Sequence, residues 1–481
     1  MTANSGSISM SELLKRLRAR DAYPREQVSE VMEFLTSGDP SETQQRSADF
    51  FTHVVEPLCD SFSPTDVAIY NALFSQLIHE SRTTTIAARL SQELDSFGVT
   101  TEDQLQSRAD WAHDSRKSLA GAARTKTANP ITRCIVLSRV TLGADVAITS
   151  VIIDRLAGLY PGADIVLLGS GKLRDLFGGD RRISFAEIPY QQSDLIRRLA
   201  GWTDVLDGIR ELSRGAEDEV LIVDPDSRLT QLGVLPVTST SRCLFFPSRT
   251  YGFGTRLSLA RLTSEWLDQV TGENRPTSPF VRPQEIDLRR SADLIAGMRM
   301  RRDLKVVTVN FGVGNNNSKR VGDDFETDLV RALVKRGLLV ILDSGASPEE
   351  RSRAAQVVAR ARDVFGETVA IHAEEKNLDD LLGLGNRDCR LLTWSGRVGM
   401  LAGLIASSDL YIGYDSAGQH IAAALGVPCI DVFAGAPSER FRDRWTPTGA
   451  VECTIVATES KTTREILDGT LHAVHNALER R

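Results

Sequence analysis

The chain has 481 residues, 41% of them hydrophobic and 25% charged, with a net charge of −7. That length suffices for two or three separately cored domains, and the acidic balance argues against a nucleic-acid-binding surface as its main business. No apolar run is long enough to span a bilayer, the first twenty residues lack a secretory signal's apolar core, and the six scattered cysteines never form a CxxC pair; a reduced, cytoplasmic protein without a metal site is expected.

Residues 1–127 read as helical. Ser63 is an N-cap, with Pro64 at the first helical position and Asp66 at the third. Thr100 to Asp103 offer a second, acidic helix start. Apolar residues recur at helical spacing in Val28, Val31, Phe34 and Leu35, and again in Phe50, Val54, Val55 and Leu58. Nothing in this region suggests chemistry, and an appendage for oligomerisation or partner docking is expected. The polar stretch 116–133 marks its boundary.

From there short β-rich runs alternate with helical segments, the pattern of parallel sheets with crossover helices. Strands are expected at 134–140, 163–170, 219–227 and 242–248, with a helix over 148–159. These form a first α/β domain over 131–283, closed by the Pro-rich link 274–283. A second domain, 300–481, repeats the texture, with strands at 305–312, 338–345 and 368–373 and helices at 328–336 and 349–362. Two Rossmann-like halves place a ligand in the cleft between the carboxyl ends of their strands.

The most informative stretch is DLYIGYDSAGQHIAAALGVPCIDVFAGAP, 409–437. An apolar strand over 410–413 runs into a small-residue turn, Asp415, Ser416, Ala417, Gly418 and Gln419. A helix then opens at His420 and closes at Gly426. Such a turn at a helix N-terminus offers unpaired N–H groups and a positive dipole end, a site for phosphate. Small side chains let the ligand approach the backbone.

Several separated segments resemble one family, the ADP-heptose:lipopolysaccharide heptosyltransferases of glycosyltransferase family 9, over roughly residues 131–450. VLSRVTLGADVAITSVIIDRLAGLYPGADIVLL is similar to the family's opening R-x-S-x-L-G-D strand–turn–helix, and LIVDPDSRLTQLG to a later D-x-Q-type segment. VNFGVGNNNSKR resembles a lysine-bearing turn. GRVGMLAGLIASSDLYIGYDSAGQHIAAALGVPCIDVFAG resembles G-x-x-x-L-x-E-L-A-x-L followed by D-[ST]-G-x-x-H. The chain departs from the pattern too. Ala144 and Ala417 stand where the family has glycine, with Gly143 and Gly418 one place away. Leu401, Ala402 and Gly403 lack the usual acid, and Val321 and Gly322 replace a frequent tryptophan.

The resemblance implies a GT-B fold: two Rossmann-like parallel-sheet domains facing a cleft, preceded here by an all-helical domain. It implies a metal-independent, inverting glycosyltransferase, with no cofactor beyond an ADP-sugar donor, moving heptose onto a saccharide or lipid-linked acceptor. Asp145 inherits the role of base for the acceptor hydroxyl; the other reading of it is a carboxylate that merely stabilises a helix start. Lys319, after a flexible loop, is expected to neutralise charge on the leaving diphosphate, the alternative being a solvated loop lysine. Ser416, Ala417, Gly418 and Gln419 would offer N–H groups to the donor, with Asp415 on sugar hydroxyls or capping the helix. His420 contacts the donor or is simply packed, and Gly312 and Gly345 lie where a base or ribose could sit. Arg139, Asp224, Asp226 and Arg228 are expected to meet the acceptor. A catalytically inactive nucleotide-sugar-binding module acting through its helical domain is the alternative, with an epimerase a third reading. The helical domain could dimerise the protein, bind a partner or touch the inner membrane surface peripherally.

Overall fold

A computed structural model describes residues 9–19, 25–114, 130–189, 194–238, 242–299, 304–314, 316–378, 381 and 389–479. Most of the expected boundary stretch 116–133 and one residue of the loop before Lys319 lie outside the described residues.

Among the described residues, twelve strands make two all-parallel sheets. The first orders β3 (Ile183–Glu187), β2 (Asp164–Gly169), β1 (Arg133–Leu137), β4 (Val220–Asp224) and β5 (Cys243–Phe245). The second orders β12 (Cys453–Ala457), β11 (Cys429–Phe433), β10 (Leu410–Tyr414), β6 (Val306–Asn310), β7 (Leu339–Asp343), β9 (Leu391–Ser395) and β8 (Ala370–Glu374). The central strands are short apolar runs such as VLIVD and VVTVN, buried at every position. That composition suits a sheet covered by helices on both faces. Strand order reverses between β1 and β4 in one sheet and between β6 and β10 in the other, and such switch points open crevices at the carboxyl ends. The turn after β1 and the turn after β10 each leave from one of them.

The helical region has a core of its own, built from Val28, Leu35, Phe50, Leu58, Leu73 and Phe74 among others. That core continues into the first lobe through Leu199, Trp202, Leu206 and the 232–235 loop. Ser47 Oγ accepts from Leu195 N–H at 3.0 Å, and His113 Nε2 lies 2.9 Å from Leu232 O. Phe62 joins this region to the second lobe. Buried and at φ 49°, it packs tilted against Phe441 and edge-on to Trp445, each 6.4 Å away between ring centres. The helical region therefore bridges both lobes. After the link, helix Glu285–Arg299 packs on Val398–Ala406, and Arg299 Nη2 meets Asp409 Oδ2 at 2.6 Å, which ties the helix to the second lobe.

Three strands, β3, β9 and β12, have no counterpart in the sequence reading. Both edge strands among them, β3 and β12, are half exposed, so the buried-strand pattern is broken. The helix expected over 148–159 begins earlier, at Leu142, and passes through a wider π turn at Asp145–Thr149. Among the described residues no helix is long and apolar enough to cross a membrane.

Candidate functional site

The turn after β10 is built from its own side chains. The helix opens at Ala417, three residues before His420, where the Gln419 side chain turns back to take the Ser416 N–H. Ser416 N–H donates to Gln419 Oε1 at 2.8 Å, and Gln419 Nε2 donates to Asp415 Oδ1 at 3.1 Å. The Ser416 N–H expected for the donor is thus already spent, and the Gln419 amide is buried in the same turn. Gly418 faces inward: a Cβ there would lie 1.9 Å from Tyr411 Oη. His420 is buried with its ring edge-on to Trp445, and burial holds it neutral, its pKa pushed down to about 4.

Lys319 comes to this turn from a short 3-10 segment after β6. Its Nζ lies 2.5 Å from Asp415 Oδ2 and 5.4 Å from the centre of the Phe441 ring. Burial opposes its charge, but Asp415 outweighs burial, with help from Asp60 and Asp431, and its pKa is raised. Lys319 thus stays a cation at the N-terminal end of a helix and 24% exposed, a placement that suits an anion.

One acid here had not been singled out. Asp431, on β11 in register with Gly413, is fully buried and both its carboxylate oxygens lack a hydrogen-bond partner. Burial, with Asp415 nearby, raises its pKa well above the usual carboxylate range. An acid in the otherwise apolar run CIDVF was the available signal.

Across the cleft, the turn after β1 is strained and tightly bonded. Val140 sits at φ 77°, a costly region for a β-branched residue. Asp145 holds this turn: Ser138 Oγ donates to Oδ2 at 2.7 Å, while Arg139 N–H and Thr149 Oγ1 donate to Oδ1 at 2.7 and 2.8 Å. In this closed state the carboxylate is wholly enclosed by groups of its own lobe, so the expected meeting with the acceptor does not occur in it. Burial pushes its pKa up to about 6 against the pull of the three donors.

Arg139, Asp224 and Asp226 are also buried and bonded to their own lobe. Arg139 Nη1 donates to Pro225 O at 2.7 Å, to Asp226 O and to Ser248 Oγ at 3.0 Å. Asp224 accepts from Thr230 Oγ1 at 2.6 Å and Ser227 N–H at 2.7 Å. Asp226, at φ 65°, pairs with Arg249 at 2.8 Å and accepts from Ser248 Oγ at 2.7 Å. Despite burial, Arg249, His113 and Arg139 hold its pKa down to about 2. These three side chains staple the loops after β1, β4 and β5 together and are buried in this state, where they do not present themselves to an acceptor as expected. Arg228 alone of the four is half-exposed.

The two signature turns touch. A Cβ on Gly143 would lie 3.2 Å from His420 Cδ2 and 3.3 Å from Ala417 Cα. At the ends of β6 and β7, Gly312 N–H is taken by Asn310 Oδ1 at 2.6 Å. Glu350 fills the space beside Gly312 and Gly345, and its carboxylate takes the N–H groups of Gly314, Ala346 and Ser347.

From the helical region, Glu56 and Asp60 reach the same centre. Both are half-buried, and among the described residues neither takes a hydrogen bond. Burial raises both pKa values, opposed chiefly by Arg228 and, for Asp60, next by Lys319 and Arg249. No motif marks either residue.

Two stacked-lobe Rossmann sheets with paired turns at their switch points define a molecule of the GT-B architecture. The solved glycosyl transferase family 9 structure from Veillonella parvula DSM 2008 has this fold: it is 14% identical, covers 74% of this chain and 99% of its own, and superposes with a TM-score of 0.53. E. coli ADP-heptose lps heptosyltransferase II (14% identity, 72% and 99% coverage, TM-score 0.47) and E. coli heptosyltransferase WaaC with ADP (12%, 72% and 99%, 0.48) are further matches. Residues 322–468 match the model of glycosyltransferase family 9 (heptosyltransferase). Over this lobe the chain is similar to glycosyltransferase family 9. No curated protein matches the chain.

Proposed function

We propose that the protein transfers a sugar from a nucleotide-sugar donor, with inversion, onto a saccharide or lipid-linked acceptor in lipopolysaccharide-type glycan assembly. The observation that carries this reading is the Lys319–Asp415 pair, 2.5 Å apart at the start of the Ala417–Ala424 helix. In this reading the donor's diphosphate displaces Asp415 from Lys319. Its negative charge is then met by the lysine and by the N–H groups of Ala417 and Gly418, without a metal ion. Asp415 turns to the hydroxyls of the transferred sugar. The ADP-linked heptose donor follows from the family match alone.

The state described here has its lobes in contact through Gly143 and Ala417, and Glu350 beside Gly312 and Gly345. Donor entry therefore requires the lobes to part and Glu350 to swing away, a motion usual for enzymes that close over substrate. The same observations favour a second reading, a nucleotide-sugar-binding module that no longer catalyses. Calorimetric titration with ADP, UDP and GDP separates the cases. ADP should bind selectively, and Lys319→Ala should weaken it at least tenfold. Selective UDP or GDP binding would change the donor, and no binding to any of them would remove the transferase reading. Incubation with ADP-heptose, followed by product analysis, distinguishes transfer from binding alone.

A further inference from the structure

Sugar transfer as proposed requires Lys319 to exchange partners, leaving Asp415 for the donor's diphosphate. The contact with Asp415, 2.5 Å long, also ties the Lys319 turn to the turn after β10. Breaking it leaves a long, flexible side chain on a short 3-10 segment, Asn317–Lys319, that follows a loop rich in glycine and asparagine. A cation that meets charge at a fixed point needs a backbone that stays in place while the side chain moves.

On that reading, we infer that Glu326, with Arg320 and Tyr414, is the positioning group that keeps Lys319 at the donor site once it has released Asp415. The two segments are tied twice, at adjoining residues. Lys319 meets Asp415, while the residue after the lysine, Arg320, and the residue before the aspartate, Tyr414, meet on Glu326. Arg320 Nε donates to Glu326 Oε1 at 2.8 Å, and Tyr414 Oη donates to the same oxygen at 3.1 Å. The phenol oxygen in turn accepts from Val321 N–H at 3.2 Å, so the backbone just past Lys319 is fixed directly to β10.

The tie is built from buried groups. Glu326 stands in the first turn of the helix Asp323–Lys335 with its side chain 1% exposed, and a carboxylate so enclosed persists only when paired. Tyr414 is fully buried, its ring packed tilted against Phe311 and Phe325 at 5.6 and 6.2 Å between ring centres, which fixes where its hydroxyl points. Gly322, at φ 138°, turns the chain from Val321 into the helix, a conformation that a side chain would strain. From the other side the loop after β11 closes on the turn: a Cβ on Gly435 would lie 2.1 Å from Ser318 O.

The same network settles which cation changes partner. Arg320 is held by Asp323 as well as by Glu326, so its guanidinium is committed to the fold and Lys319 is the one that moves. No contact of the second tie uses an atom of the Lys319–Asp415 pair, so a diphosphate can break the first tie and leave the second whole. The empty protein is held by both ties and the loaded protein by the second alone. Loss of the second tie therefore falls on nucleotide binding, and it does so through Lys319.

The test titrates the full-length protein with ADP, or with UDP or GDP where the wild type selects it, and repeats each titration in the Lys319→Ala background. Glu326→Gln keeps the shape and removes the charge that holds Arg320. Tyr414→Phe removes a single oxygen, and it decides the matter if Glu326→Gln does not fold. Either variant should weaken nucleotide binding about five- to tenfold when Lys319 is present and less than about twofold when it is not, with Tm as the check on folding. The corresponding nucleoside, which has no phosphate for the lysine, should bind variant and wild type alike. Loss by the same factor with and without Lys319, or equal loss for nucleoside and nucleotide, overturns the inference, because a merely structural role acts in that way. Unchanged nucleotide affinity in both variants overturns it too. Failure of the wild type to bind any of the three nucleotides is a different result: it removes the transferase reading itself, and the role of Glu326 with it.

Discussion

A carboxylate's role here depends on what surrounds it. Asp145 and Asp224 are each closed in by hydrogen-bond donors from their own loops, and burial pushes both up to about 6. An unfolded aspartate titrates near 3.9, so these groups bind protons more readily when folded. The stability they contribute is complete below pH 4 and is lost as pH rises through about 6, by up to about 3 kcal/mol for each. Asp226 runs the other way: its pKa of about 2 gives stability that is present above pH 4 and lost as pH falls through about 2. Asp145→Asn removes one of the falling contributions and leaves three donors with a poorer acceptor. The variant should be less stable by about 2–4 kcal/mol at pH 4.5, and the gap to wild type should narrow by pH 7.5. Urea midpoints at the two pH values check this, and a gap that widens with pH would refute the assignment. The positions of Lys319 and Asp415 were legible because a motif fixes their backbone on adjoining turns. The direction of Asp145 was not, since a helix-start aspartate can face the cleft or cap its own turn. Which one occurs depends on Ser138 and Thr149, and no spacing rule encodes those contacts.

At the level of elements, central strands and their turns were readable, because a fully buried parallel strand is a short apolar run between turn signals. Edge strands β3 and β12 carry polar residues on an open side and lose that signature. The Ala417 helix began earlier than read because the Gln419 side chain takes the Ser416 N–H, a contact that apolar periodicity does not register. The joint between the helical region and the second lobe is another contact without a sequence signal. Phe62 is buried between Phe441 and Trp445, and Arg440 Nη1 donates to its carbonyl at 3.3 Å. Phe62→Ala should cost about 3–5 kcal/mol if the joint stays closed. Where the joint opens instead, hydrogen exchange should quicken in 56–62 and in Glu439–Trp445 while the helical core stays protected. Uniform loss of protection across the helical region would show that Phe62 holds that core together rather than the joint.

The whole molecule is a two-lobed body spanned by a third domain, and its signature turns meet across the cleft. The first lobe offers Gly143, where a Cβ would lie 3.3 Å from Ala417 Cα, so a larger side chain there would ask the turns to give by a few tenths of an ångström. A diphosphate on the N–H groups of Ala417 and Gly418 needs that same space. Binding and the described closure therefore exclude each other, and nucleotide should select the parted form by its differential affinity for it. A disulfide between Gly143→Cys and Ala417→Cys tests the claim directly, because a Cβ on residue 143 would lie 3.3 Å from Ala417 Cα, close enough for the turns to be linked. Of the six native cysteines, five are buried and Cys243 is partly so, which limits competing pairs. Oxidised, the double variant should bind ADP at least tenfold more weakly than the same protein reduced, with wild type indifferent to oxidation. Equal binding in both redox states would mean that nucleotide enters without the lobes parting, and that the phosphates lie elsewhere than on the Ala417 turn.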